Sequence, residues 1–238
     1  MSSTVMVTGA NRGLGLEFAR QYAADGWRVL ATYRKRHPAG ARELLELAEQ
    51  DNVQAFTLDV SDFDAIAALA DELQDETIDV FLSNAGLFGP KPGAESDLRQ
   101  SFGHIDYGIV RKVLTVNSLA PLKCAESFVE HIARSEQRKF VALSSIEGSI
   151  SRAQRDLYAY RTSKAALNMV TRLLSGDLAD RGITVVSICP GWVKTRMGGE
   201  FAQLELTPAI RDFRGLVARL TLEESGRFIE SPGNPLAY

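Results

Sequence analysis

The sequence predicts an α/β fold: a doubly wound parallel sheet of about seven strands with helices on both faces. Three observations carry this. Short apolar runs rich in β-branched residues alternate with longer stretches of helical pattern along the whole chain. A glycine cluster stands between the first strand and the first helix. The length of 238 residues and 45% hydrophobic content suit one domain spanning 1–238 with a large core.

The predicted strands are 3–8, 27–33, 53–58, 78–83, 138–144, 183–189 and, more weakly, 226–230. Each is a short apolar run, as in Thr4-Val5-Met6-Val7. The predicted helices are 13–25, 39–50, 62–74, 106–134, 156–180 and 207–220. Helix 62–74 is expected to open on an N-cap at Ser61, with Asp64 three residues on. Gly26 and Gly182 punctuate passages from helix to strand. Alternation of this kind implies parallel pairing with helices covering both faces. The stretches 84–104 and 190–206 follow strands and are rich in Gly and Pro. In open α/β sheets such carboxyl-end loops build the binding site, so 84–104 and 190–208 are the expected substrate segments.

Composition narrows the function. The net charge is -3, and the longest basic cluster, Arg34-Lys35-Arg36, is too short to suggest nucleic-acid binding. No run of roughly 18 apolar residues is present to span a membrane. The N-terminus lacks a signal-peptide pattern and leads directly into a strand. Cys124 and Cys189 lie far apart in apolar contexts and read as buried free thiols, which fits a reducing, cytoplasmic setting. His37, His104 and His131 make no ligand-like spacing, so no metal centre is expected.

The loop Thr8-Gly9-Ala10-Asn11-Arg12-Gly13-Leu14-Gly15 has the spacing G-x-x-x-G-x-G. Its glycines let the backbone turn sharply and approach a pyrophosphate at a helix N-terminus. The second strand ends Ala31-Thr32-Tyr33-Arg34-Lys35, with no acid to accept from a ribose 2′-hydroxyl. Arg34, with Arg12 approaching from the glycine loop, suits a 2′-phosphate, favouring NADP(H) over NAD(H). Tyr160 and Lys164 lie four apart on one predicted helix face. An adjacent ammonium is expected to pull the phenol down toward the range where it acts as an acid/base.

These residues resemble the short-chain dehydrogenase/reductase family over almost the whole chain. The likeness rests on Thr8-Gly9-x-x-x-Gly13-x-Gly15, Leu58-Asp59-Val60, Ser83-Asn84-Ala85-Gly86, Asn117, Ser144-Ser145-x-x-Gly148, Tyr160-x-x-x-Lys164 and Pro190-Gly191-x-Val193-x-Thr195. The wording around Tyr160, with Pro190-Gly191-Trp192-Val193-Lys194-Thr195, is most similar to its C-factor-like and carbonyl reductase branch. The resemblance implies a single-domain Rossmann fold and hydride transfer between NADP(H) and a carbonyl or alcohol. Asp59 and Val60 would then meet the adenine, and Asn84, Ala85 and Gly86 the ribose. Pro190, Gly191, Val193 and Thr195 would hold the nicotinamide side and the phosphates. Tyr160 would be the acid/base, Lys164 its modulator, Ser145 the donor to the substrate oxygen, and Asn117 a link from Lys164 to water. Ser144 rivals Ser145 for its role, and Glu147 near the reacting centre would repel anionic substrates or face solvent. Leu87, Phe88, Trp192, Met197 and Phe201 are expected to wall an apolar substrate site. The family's habit implies a homodimer or homotetramer. The alternative is an NADP(H)-binding signalling or sensor protein of the C-factor type with little turnover.

Overall fold

A computed structural model describes residues 2–34, 40–91 and 97–238. Lys35 and Arg36 of the basic cluster, and His37, lie outside the described residues. The elements follow the predicted alternation: β1 Thr4–Val7, α1 Gly13–Ala24, β2 Arg28–Tyr33, α2 Arg42–Leu47, β3 Val53–Thr57, α3 Phe63–Glu72, β4 Val80–Ser83. The chain continues with α4 Tyr107–Leu114, α5 Ala120–Ala133, β5 Lys139–Leu143, α6 Tyr158–Asp177, β6 Thr184–Cys189, α7 Leu206–Arg219, β7 Phe228–Glu230 and β8 Asn234–Pro235.

The strand order is β3-β2-β1-β4-β5-β6-β7-β8, with every pairing parallel except β7 with β8. The expected seven strands are joined by a two-residue antiparallel eighth that carried no periodicity to read. The order reverses between β1 and β4, so the carboxyl ends of these neighbours open a crevice. Alternation along the strands supplies two cores. Val5, Val7, Val141, Leu143, Val186 and Ile188 face the α1 and α7 side with Phe18 and Phe213. Met6, Phe81, Phe140, Ala142 and Val185 face the other side, with Phe128 and Leu167.

Three elements depart from the prediction. Helix α3 is capped by Asp62, whose side chain accepts from the Ala65 amide, while Ser61 bonds Asp59 instead. The acid reaches the first-turn amides one residue later than expected. The predicted helix 39–50 is regular only over Arg42–Leu47. The single helix predicted for 106–134 divides at a π-helical turn, Thr115–Leu119. Pro121 has no amide to give the Asn117 carbonyl, and its ring crowds that carbonyl, so the helix widens there. Gly26 and Gly182 do close their helices with φ of 77° and 67°.

Phe81 stacks on Phe140 with ring centroids 5.2 Å apart and lies equally close to Phe128. Phe81→Ala is expected to cost about 3–5 kcal/mol of stability, read by urea unfolding; a loss below 1 kcal/mol would refute this packing.

Candidate active site

The crevice between β1 and β4 is stitched by polar side chains. The Thr8 hydroxyl accepts from the Asn84 and Ala85 amides, both at 3.0 Å. Asn84 Nδ2 donates back to the carbonyls of Thr8 (2.8 Å) and Gly9 (3.1 Å). Gly9 sits at φ 69°, where a Cβ would lie 2.9 Å from the Ala85 backbone. At Gly15 a Cβ would meet the Gly9 carbonyl at 2.4 Å. These glycines let two loops lie against each other. Arg12, the first residue of the α1 turn, makes no side-chain cap, so the leading amides of the helix have no such partner. Across from them, Thr195 lies 3.7 Å from where a Gly13 Cβ would be. A helix N-terminus lacking a capping side chain, with space beside glycine and a threonine opposite, fits a dinucleotide pyrophosphate.

Asn11 Nδ2 donates to the Gly40 carbonyl at 2.8 Å. Arg34, at the end of β2, stands 3.9 Å from the Asp59 carboxylate. It borders a cavity of about 220 Å³ with Leu87, Gly89, Pro90, Ile109, Lys112 and Val113. Val60 is buried beside α3. On the opposite rim, Gly191 turns at φ 80° and Val193 bridges Leu204. Thr195 Oγ1 accepts from the Gly198 amide at 3.0 Å, shaping a cleft of about 610 Å³ with Lys194, Arg196, Gly199 and Glu200.

Helix α6 presents Tyr160 and Lys164 at successive turns of its buried face. The Ser145 hydroxyl lies beside the Tyr160 phenol, close enough to lower its pKa. Its oxygen also accepts from the Glu147 amide at 3.2 Å. Ser144 is spoken for: its hydroxyl donates to Asn168 Oδ1 at 2.7 Å. The geometry thus brings Ser145, not Ser144, to the phenol. Lys164 Nζ donates to the Leu143 carbonyl at 2.6 Å and lies 5.9 Å from the Tyr160 ring centroid.

Burial overrides the expected charge effect. Tyr160 is 7% exposed and its phenol is pushed up to about 12, chiefly by desolvation, with the Ser145 hydroxyl pulling the other way. The expected fall therefore does not occur in the protein alone. Lys164, whose Nζ is held by a neutral carbonyl, is pushed down to about 8 by burial. Glu147 is not turned to solvent: it pairs with Arg161 at 2.6 Å, and its charge also raises the phenol.

Asn117, in the π-helical turn, clamps the neighbouring loop. Its Oδ1 accepts from the Leu87 amide, and its Nδ2 donates to the Leu87 carbonyl, each at 2.8 Å. Nδ2 also reaches Ser163 Oγ at 2.9 Å. A Cβ on Gly86 would meet Asn117 Oδ1 at 3.5 Å and Lys164 Nζ at 4.0 Å, so both groups converge there. Two site residues escaped the sequence reading. Asn168 ties Ser144 to the Gly148 carbonyl, bracing the turn that carries Ser145. It lies four residues beyond Lys164, a spacing that marks the same face. Gln100 lies in an irregular segment and carried no signal.

A sheet order that reverses at a glycine-lined crevice, with a buried tyrosine and lysine and a half-buried serine beside it, defines a dinucleotide-dependent oxidoreductase. The family model for short chain dehydrogenase matches residues 3–205, and the chain belongs to that family. It is similar to the C-signal of Myxococcus xanthus, 34% identical over 163 residues, covering 68% of this chain and 93% of that protein. Carbonyl reductase Sniffer of D. melanogaster superposes with a TM-score of 0.88 at 30% identity, covering 100% of both chains. The NADPH-bound carbonyl reductase from chicken fatty liver gives a TM-score of 0.88 at 29% identity, covering 100% of this chain and 99% of that one. Among the described residues, no helix is long and apolar enough to cross a membrane.

The shifted lysine has a measurable consequence. Because its folded pKa lies near 8 and its unfolded value near 10.5, the unfolded chain holds more protons between those limits. Stability from this group therefore rises as pH climbs from about 8 to 10.5. The wild type is expected to gain stability over that window relative to Lys164→Met in urea titrations; parallel curves would refute the buried, depressed ammonium.

Proposed function

We propose that the protein is an NADP(H)-dependent carbonyl reductase or alcohol dehydrogenase with Tyr160 as its acid/base. The observation that carries this reading is buried Tyr160 beside buried Lys164, one helical turn apart on α6, with Ser145 next to the phenol at the carboxyl end of β5. A bound nicotinamide supplies or takes up the hydride.

The protein's own residues handle orientation and the proton. Ser145 Oγ accepts from the Glu147 amide, so its hydrogen is free to point at a substrate oxygen. Ser145 thereby stabilises charge as it grows on that oxygen. The Tyr160 phenol, protonated at neutral pH, gives its proton to the same oxygen in reduction and takes one back in oxidation. Lys164 supplies positive charge behind the phenol as it loses its proton, and Asn117 links it toward water. Gly9 to Gly15 cradle the pyrophosphate, with Asn11 and Leu14 in the loop. Asp59 and Val60 border the adenine, Asn84, Ala85 and Gly86 the ribose, and Pro190, Gly191, Val193 and Thr195 the nicotinamide side. Arg34 reads the 2′-phosphate, because its partner Asp59 is 3.9 Å away and a phosphate offers a closer, charge-assisted contact.

Phe88 lies 4.5 Å from the Tyr160 ring, centroid to centroid, while Trp192, Met197 and Phe201 are exposed in the segment after β6. These side chains suit an apolar or aromatic carbonyl compound. Self-association belongs to the same reading, since Leu119, Met169 and Leu173 are exposed on the π turn and α6.

With NADPH and a panel of aldehydes and ketones, Tyr160→Phe is expected to abolish turnover while leaving NADPH binding within twofold. Near-wild-type turnover would remove the acid/base assignment. Cofactor binding without turnover across the panel would favour a signalling or sensor role. Arg34→Ala is expected to weaken NADPH by about tenfold or more and NADH by less than twofold, measured by fluorescence titration. An equal effect on both cofactors would refute the phosphate contact.

A further inference from the structure

Helix α6 has no cap of its own. Asp156 and Leu157, which lead into it, sit at φ 63° and 56°, and Leu157 offers no side-chain acceptor to the first-turn amides. The acceptors arrive from a residue far off in the chain. The Gln100 carbonyl accepts from the Tyr158 amide at 3.1 Å, and Gln100 Oε1 accepts from the Tyr160 amide at 3.0 Å. The other end of the same side chain faces the opposite way. Gln100 Nε2 donates to the carbonyls of Phe88 (2.9 Å) and Pro90 (2.6 Å). Every hydrogen of this amide is used, and the residue is wholly buried. A Cβ at Gly89 would come within 2.9 Å of Nε2, so the loop closes tightly on it.

We propose that Gln100 is a positioning residue for the reaction, an external cap that ties the backbone of Tyr160 to the Phe88–Pro90 loop. This rests on the acid/base reading of Tyr160 given above. Gln100 fixes the axial position at which α6 begins, and with it the depth of the phenol. It also fixes the loop whose Phe88 ring packs on that phenol. Asn117 holds Leu87 one residue earlier, so two buried amide side chains define the wall facing Tyr160. An apolar residue at 100 leaves the Tyr160 amide and two loop carbonyls without partners, and the first turn of α6 and the loop move independently. Misplacement of a reacting group by about 1 Å costs up to 100-fold in rate without affecting distant cofactor contacts.

The test compares Gln100→Met, which keeps length and the backbone bond to Tyr158 but loses every side-chain hydrogen bond, with Gln100→Glu, which keeps an acceptor for the Tyr160 amide. Four readouts are taken: kcat and the carbonyl substrate's KM with NADPH, the Kd for NADPH, and the Cζ resonance of Tyr160 in protein carrying 13C-labelled tyrosine. With six tyrosines, that resonance is assigned by its loss in Tyr160→Phe. In Gln100→Met, kcat is expected to fall about 10- to 100-fold. The Tyr160 resonance shifts or broadens, and the Kd for NADPH stays within twofold. Gln100→Glu recovers most of the kcat and restores the resonance, while KM stays raised because the loop carbonyls have lost a donor. An unchanged Tyr160 resonance in Gln100→Met overturns the proposal, as does a loss of NADPH affinity proportionate to the loss of kcat in both variants. Should the wild type itself turn over nothing, the acid/base reading fails, and the resonance alone then decides whether Gln100 positions Tyr160. If Gln100→Met does not fold, Gln100→Glu decides: a wild-type KM in that variant refutes the link to the loop.

Discussion

Parallel strands cannot be joined by a tight turn, and everything about this site descends from that constraint. Each crossover returns the chain to the same end of the sheet, so the loops after β1, β2, β4, β5 and β6 all open on one side. Where the order reverses between β1 and β4, no crossover covers the gap. The Thr8 hydroxyl and the Asn84 amide hold its two lips at a fixed width. The next two crossovers, through α5 and α6, then deliver Asn117, Ser145, Tyr160 and Lys164 to its floor.

The site's electrostatics follow from packing rather than from charge pairing. Gly148 lies so close to α6 that a Cβ there would meet the Lys164 backbone at 2.8 Å. That approach seals the phenol and the ammonium from water, raising the first and lowering the second. The phenol is thus held protonated at neutral pH, while the lysine, lowered to about 8, keeps most of its charge there. Glu147, though paired with Arg161, still adds negative charge beside the phenol and raises it further.

Most of the architecture was legible in the sequence because it repeats. Seven parallel strands and the helices between them announce themselves through alternating apolar runs, and β8 does not because two residues have no period. The break in the helix predicted for 106–134 was present as Pro121, four residues after Asn117, but a proline inside an otherwise amphipathic run reads easily as part of it. Tyr160, Lys164, Ser145 and the glycine loop stood out because their chemistry depends on short spacings. What stayed hidden acts across the fold. Gln100 makes its contacts 10 to 60 residues away, and no local pattern distinguishes it from any loop glutamine. The direction of the Tyr160 shift was also missed, since spacing reports which charges are neighbours but not how much water surrounds them.

The eighth strand has a consequence for the molecule as a neighbour of other molecules. The edge of a sheet is a row of open hydrogen-bonding groups on which a foreign strand can grow. Here the β7 edge is occupied by Asn234 and Pro235, and the residue paired with Ile229 is the proline. Lacking an amide hydrogen, Pro235 has no donor to offer an incoming strand at that position. The sheet is thereby terminated by two residues and an imide ring, a cheap safeguard against edge-to-edge aggregation at that border.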